Sequence, residues 1–274
     1  MRLSLNVIFE DNSEGNLYRT VEVDSSGPWK AELAKEYVRL RSSTVGDLSS
    51  ISLDGITILS PQKLRARLKQ ATVPHRRGGP LDVVRSDFGE TLAYLLLEQE
   101  FGTAIGYKGV RDRETINLPG RGIDIIGIET NPHFCLVLGE VKVSEENRTP
   151  PSVVDRNNDS LSKQLKFHVR EHSITSQKLW DTARKVLDDA IRNNLFRAAL
   201  AWDEKRWDLL RVVCCAILVR PKNIYKVKDF GSLKRYPRSM RPGTTRFIIV
   251  CIPDGIEATV SAWFEFVQRK EEDE

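Results

Sequence analysis

The sequence predicts an α/β (α+β) protein, a central mixed sheet flanked by helices. Two observations carry this. Apolar runs of strand length recur beyond residue 120: IDIIGI, FCLVLGEVKV, LLRVVCCAILVR and RFIIVCIP. Around them lie stretches whose apolar residues return every three or four positions, the period of a helix buried along one side.

In chain order, residues 1 to about 60 alternate strand-like runs (LSLNVIF, YRTVEV, ISLDGITIL) with a helix expected from Trp29 to Arg41. They read as a small N-terminal α+β region or as strands added to the main sheet. PHRRGGP has the Pro/Gly punctuation of a linker. It divides the chain into an N-terminal region, 1–78, a candidate for partner binding, and a main domain, 79–274. Ser86 is a candidate N-cap for a helix that stops at Gly102. Phe88, Leu92, Leu95 and Leu96 form its apolar stripe, and Glu90 also looks inward, toward either a hydroxyl partner or the site. Gly89 points to close approach by a backbone or a substrate.

A short strand is expected around Thr103 to Val110, then a charged crossing into the paired strands of 120–144. The polar loop SEENRTPPSVVDRNNDS has the length of a functional or mobile segment. Ser160 then caps a helix, LSKQLKFHVREHS. A longer helix follows from Thr175 to Asn193, with Leu179, Ala183, Val186, Leu187, Ala190 and Ile191 as its core stripe, and a last one spans Ile256 to Arg269.

At 274 residues, 40% hydrophobic and 29% charged, the chain holds enough apolar surface for a real core. No apolar run approaches the ~20 residues of a membrane span, and the N-terminus lacks a signal-peptide pattern, so the expected location is the cytoplasm. Cys135, Cys214, Cys215 and Cys251 lie in apolar runs without zinc-like spacing and read as buried reduced thiols. Basic residues cluster from Lys63 to Arg85, against Asp82 alone. They cluster again from Arg220 to Arg246, against Asp229 alone, with Tyr225, Phe230 and Tyr236 interleaved. Such segments suit a phosphate backbone, a solvated loop being the alternative. Nothing matches a Walker A, dinucleotide or nucleophile-elbow motif, which argues against ATP hydrolysis by this chain.

The chemistry concentrates in GRGIDIIGIETNPHFCLVLGEVKVS, Gly120 to Ser144. Asp124 is the lone carboxylate of the first strand, and Glu140 and Lys142, two apart, project from one face of the second. Two carboxylates and an ammonium among Ile, Leu and Val carry a large desolvation cost unless something pairs them, and a divalent cation would. A three-residue connection, Asn131 to His133, sets Asp124 opposite Glu140. A two-residue turn sets it against Gly139 and turns Glu140 away.

Asp124 with Glu140-Val141-Lys142 resembles the nuclease superfamily named for its PD-(D/E)xK signature, with Ile123 at the proline position. The order of helix, strand, strand with aspartate, strand ending in E-x-K, and helix bearing glutamine is similar too. In the RecB-like branch that helix carries Q-h-x-x-Y. QLKFH, Gln164 to His168, matches the glutamine and places His168 where the tyrosine is expected. DFGETLAYLLLE, PGRGIDIIGI, LGEVKVSEE and SLSKQL, within about 80–200, are similar to the HamA family. Its members are the nuclease subunits of Hachiman anti-phage defence systems and work beside a helicase, HamB.

The resemblance implies a PD-(D/E)xK restriction-endonuclease-like core and a metal-dependent DNA endonuclease or nickase. Asp124, Glu140 and the Val141 carbonyl would bind Mg²⁺, with Mn²⁺ as a substitute, and Glu90 would hold a second metal or a water. Lys142 would orient the attacking water or stabilise the phosphorane, acting as a base only if its pKa is depressed. Gln164 would touch the phosphate or position Lys142. DNA and a HamB-like helicase are the implied partners. Two other readings stay open: a catalytically silent DNA- or helicase-binding subunit, and a structure-specific junction resolvase. His168 and His172, spaced i, i+4 without a third ligand nearby, read as surface histidines.

Overall fold

The computed structural model describes residues 3–42, 61–76, 82–112 and 122–269. The expected strand ISLDGITIL, the RGGP of the linker, most of the charged crossing and the acidic tail lie outside them. In chain order the elements are β1 (Leu5–Ser13), β2 (Asn16–Val23), α1 (Trp29–Arg41), α2 (Pro61–Thr72), α3 (Val83–Phe101), β3 (Ala104–Lys108) and α4 (Gly109–Asp112). There follow β4 (Ile125–Glu129), β5 (Cys135–Val143), α5 (Ser152–Asp155), α6 (Leu161–Arg170), α7 (His172–Lys185) and α8 (Asp189–Asp203). The chain closes with β6 (Arg211–Pro221), α9 (Gly231–Arg235), β7 (Thr244–Ile252) and α10 (Ile256–Gln268).

Seven strands form one mixed sheet in the order β1-β2-β7-β6-β5-β4-β3. β2, β7, β6 and β5 pair in parallel, while β1 and the β4–β3 side pair antiparallel. β6 is buried on both faces, so its VVCCAILV run shows no polar alternation. The β1–β2 hairpin joins through β2 and β7, so the N-terminal strands extend this sheet. Its two-residue turn puts Glu14 and Gly15 at φ 51° and 77°, as a type I′ turn requires. One face is covered by α1, α3 and α10, through Leu33, Tyr37, Phe88, Leu92 and Trp263. The other is covered by α6, α7 and α8, through Leu165, Leu179, Leu195 and Trp202. No helix among the described residues is long and apolar enough to cross a membrane.

Several expectations change. The N-cap of α3 is Asp82, whose Oδ1 accepts from Val84 N at 3.0 Å, so the helix starts before Ser86. Gly102 ends it in the left-handed region, φ 62°. A Cβ on Gly89 would overlap Val143 and press on Val141, so the close approach is to side chains of β5, not to a backbone or substrate. The expected helix Thr175–Asn193 is two: α7 ends at Lys185 and α8 begins after the Asp188 cap, leaving Leu187 67% exposed. LSKQLKFHVREHS likewise stops at Arg170.

Part of each basic cluster is paired within the fold. Arg85 pairs with Glu145 and Glu257, Arg76 with Asp82 and Glu257, and Arg220 with Asp229. Arg246 pairs with Glu129, Lys222 with Glu22, and Lys234 with Asp11. Lys226, Lys228, Arg238 and Arg241 remain exposed. The four cysteines are free, Cys135 half-buried and the others buried.

Candidate active site

The β4–β5 register decides whether the acids meet. Ile125 pairs with Gly139 and Glu129 with Cys135. This is the odd-numbered connection through Asn131–His133. Asp124 lies beyond the last pair and departs from that register, its N bonding Gly139 O, yet its carboxyl meets that of Glu140 in a hydrogen bond. Glu140 and Lys142 share their side of β5 with Leu136 and Leu138, the side that α6 covers.

Asp124, just outside β4, is fastened three times. Its N donates to Gly139 O and its O accepts from Gly109 N, each at 3.1 Å, and its Oδ2 accepts from Val141 N at 2.9 Å. Glu140 is buried, with Oε1 2.6 Å from His168 Nε2. Lys142 Nζ lies 3.4 Å from Asp159 Oδ2, in the loop before α6. Glu90 arrives from α3, on the opposite face. Its Oε2 accepts from Tyr94 Oη at 2.8 Å, and that hydroxyl accepts from Val110 N at 3.2 Å. Gly109 leaves the space this needs, since a Cβ there would lie 2.6 Å from Glu90 Oε2 and 3.5 Å from Asp124 O. Gln164, one turn before His168 on α6, is half-buried, and among the described residues its side chain has no hydrogen-bond partner.

Burial dominates the electrostatics. It drives Asp124 well above the ordinary carboxylate range, and the neighbouring Glu140 adds to the effect. It lifts Glu140 to about 8, against the opposing pull of Lys142. Burial pulls the Lys142 ammonium down, but Asp124, Glu140 and Asp159 outweigh it and hold its pKa above the usual value. Without a cation Lys142 is therefore a proton-bearing donor. Burial also lowers His168 to about 4, so the imidazole is neutral and its contact with Glu140 is a hydrogen bond rather than an ion pair.

Two adjacent acids that hold protons this tightly form a site short of positive charge. Hard oxygen donors, the Asp124 and Glu140 carboxylates with the Val141 carbonyl beside them, fit a small divalent cation that keeps several waters. Among the described residues no group of three or more His, Cys, Asp or Glu side chains is arranged to hold a metal by itself. Two carboxylates and a carbonyl leave room for water or substrate to complete the coordination of such an ion.

The surface reading of the histidines is corrected. His168 is 2% exposed and belongs to the site. His172 begins the next helix, stacks on Trp202 at 5.2 Å and bonds its carbonyl at 2.8 Å. The i, i+4 spacing fails because the helix breaks between them. Around the expected residues the structure adds Asp159 and His168, and Tyr94 is the hydroxyl partner left open for Glu90. His168 had a signal in its place in QLKFH and Tyr94 in its spacing from Glu90, while Asp159 had none.

A family model described as HamA matches residues 8–228. No curated protein and no solved structure matches the chain.

Proposed function

We infer that the chain, which belongs to the HamA family, is a divalent-cation-dependent nuclease that hydrolyses phosphodiester bonds in DNA. The family is that of an anti-phage defence component, and on this reading the chain is the effector, working with a HamB-like helicase. The observation that carries the reading is the facing of Asp124 and Glu140 across neighbouring strands with Lys142 beside them. That arrangement is the one a PD-(D/E)xK nuclease needs.

Asp124, Glu140 and the Val141 carbonyl would hold Mg²⁺, or Mn²⁺ in its place. When bound, the cation supplies Lewis acidity toward the scissile phosphate and a more acidic attacking water. Lys142, kept protonated by the acids around it, donates to that water or to the charge growing on the phosphate. Glu90, steered by Tyr94, is set to hold a second cation or a water near Asp124. Gln164 offers an uncommitted amide to the phosphate or to Lys142.

The test is nicking of supercoiled plasmid by the isolated chain with Mg²⁺. Glu140→Ala and Lys142→Ala should each lose cleavage while keeping the circular dichroism of the parent, and retained nicking by either overturns the mechanism. A second reading, a subunit silent until its partner acts, draws on the Lys142–Asp159 pair, which engages the ammonium away from a substrate. Adding the helicase and ATP separates the two, because cleavage confined to that mixture favours the second.

A further inference from the structure

One buried group has no part in the chemistry above. His168 Nε2 lies 2.6 Å from Glu140 Oε1, and each side chain is 3% exposed. α6 turns this residue inward with Leu161, Leu165 and Val169. Thr175 Oγ1 donates to the His168 carbonyl at 2.6 Å, and the Phe167 ring packs edge-on at 5.9 Å. The imidazole is thus held from its backbone and its flank, with one nitrogen aimed at one oxygen of the acid.

An unheld carboxylate at the end of a glutamate turns easily about its last torsion. Beside Asp124, repulsion between the two acids would swing it away from the place where both must meet one ion. A fixed N–H on Oε1 opposes that swing and holds the carboxyl where it already meets Asp124 in a hydrogen bond. We propose that His168 is a positioning residue: its Nε2–H donates to Glu140 Oε1 and presets that carboxyl for the cation shared with Asp124. This rests on the cation reading of the site and adds to it a residue that touches neither cation nor substrate. Partners of this kind commonly set metal affinity, and losing one costs about 10–100-fold.

The experiment is calorimetric titration of the full chain with MnCl₂, without nucleic acid. His168→Leu removes the donor while keeping bulk, and should raise Kd about 10–100-fold. His168→Gln carries an N–H at similar reach and should restore most of the affinity, which a purely space-filling role does not predict. Unchanged binding by the leucine variant, or a glutamine variant no better than leucine, overturns the assignment. In the unmodified chain at a pH above about 8, where Glu140 has given up its proton, ¹⁵N spectra of the ring should show the Nε2-protonated tautomer, and an Nδ1–H tautomer overturns it without any variant having to fold. An unmodified chain that binds no Mn²⁺, yet shows the Nε2–H tautomer, overturns the cation reading itself and the presetting with it.

Discussion

Glu140→Gln tests whether the site is strained for want of positive charge. Burial moves this carboxyl from 4.5 to about 8 in the folded chain. Between those values the native state keeps a proton that the unfolded chain has released. Stability therefore falls as pH rises through the window, is fully present below 4.5, and levels off above 8. The gap of about 3.5 pH units sets a ceiling of about 5 kcal/mol at ~1.36 kcal/mol per unit. Because Asp124 shares the proton traffic, a change on the order of 2–4 kcal/mol is expected at pH 8. Glutamine has the shape of the protonated acid and never ionises. In EDTA, urea unfolding should find Glu140→Gln more stable than the parent at pH 8, equal to it near pH 4.5, and with a flatter pH dependence. Mg²⁺ at about 100 times its Kd should then stabilise the parent by about 2.7 kcal/mol and leave the variant unmoved. Parallel pH profiles, or a variant weaker at pH 8, would refute the claim that the buried acid is under electrostatic strain.

Two further predictions concern the supports of the fold and site. Tyr94→Phe removes the hydroxyl between Val110 N and Glu90 Oε2 and leaves a buried amide unpaired, a loss of about 1–3 kcal/mol in urea midpoint experiments. An unchanged midpoint contradicts it. Arg220 and Asp229 form an ion pair with both side chains 0% exposed, and Arg220 also donates to Arg148 O and Ile224 O. Arg220→Met should cost about 3–5 kcal/mol by stranding Asp229, whereas adding Asp229→Leu should recover part of it. A double variant as weak as the single one counts against stranded charge as the cause.

The site's frame was legible because it rests on parity. An odd β4–β5 connection fixes which residues of the ladder face each other, and beyond its end Asp124 still meets Glu140 through their carboxyls. Helix ends written in local chemistry, such as Gly102, could also be read. The break at 186–188 could not, because the apolar period continues through Val186, Leu187 and Ile191 with neither Gly nor Pro to interrupt it. Asp188, followed three residues later by the amide it caps, was its only mark. Charge was only partly legible, for another reason. The acids that neutralise Arg85, Arg246 and Lys222 are Glu257, Glu129 and Glu22, each more than a hundred residues away in sequence. Basic density along the chain thus could not tell the paired residues from those that stay exposed, such as Lys226, Lys228, Arg238 and Arg241. His168 was hidden by the same gap, since its partner stands on a strand 28 residues earlier.

The three bonds that fasten Asp124 tie its peptide to β5 and to the start of α4 at once. On the cation reading, this acid cannot step back to make room for a larger guest. Ionic radius then becomes a criterion of admission: Mg²⁺ and Mn²⁺ suit a stiff pair of oxygens, while Ca²⁺, which favours longer bonds and more ligands, would occupy the position poorly. Discrimination among cations would be built into the backbone of the sheet before any substrate arrives.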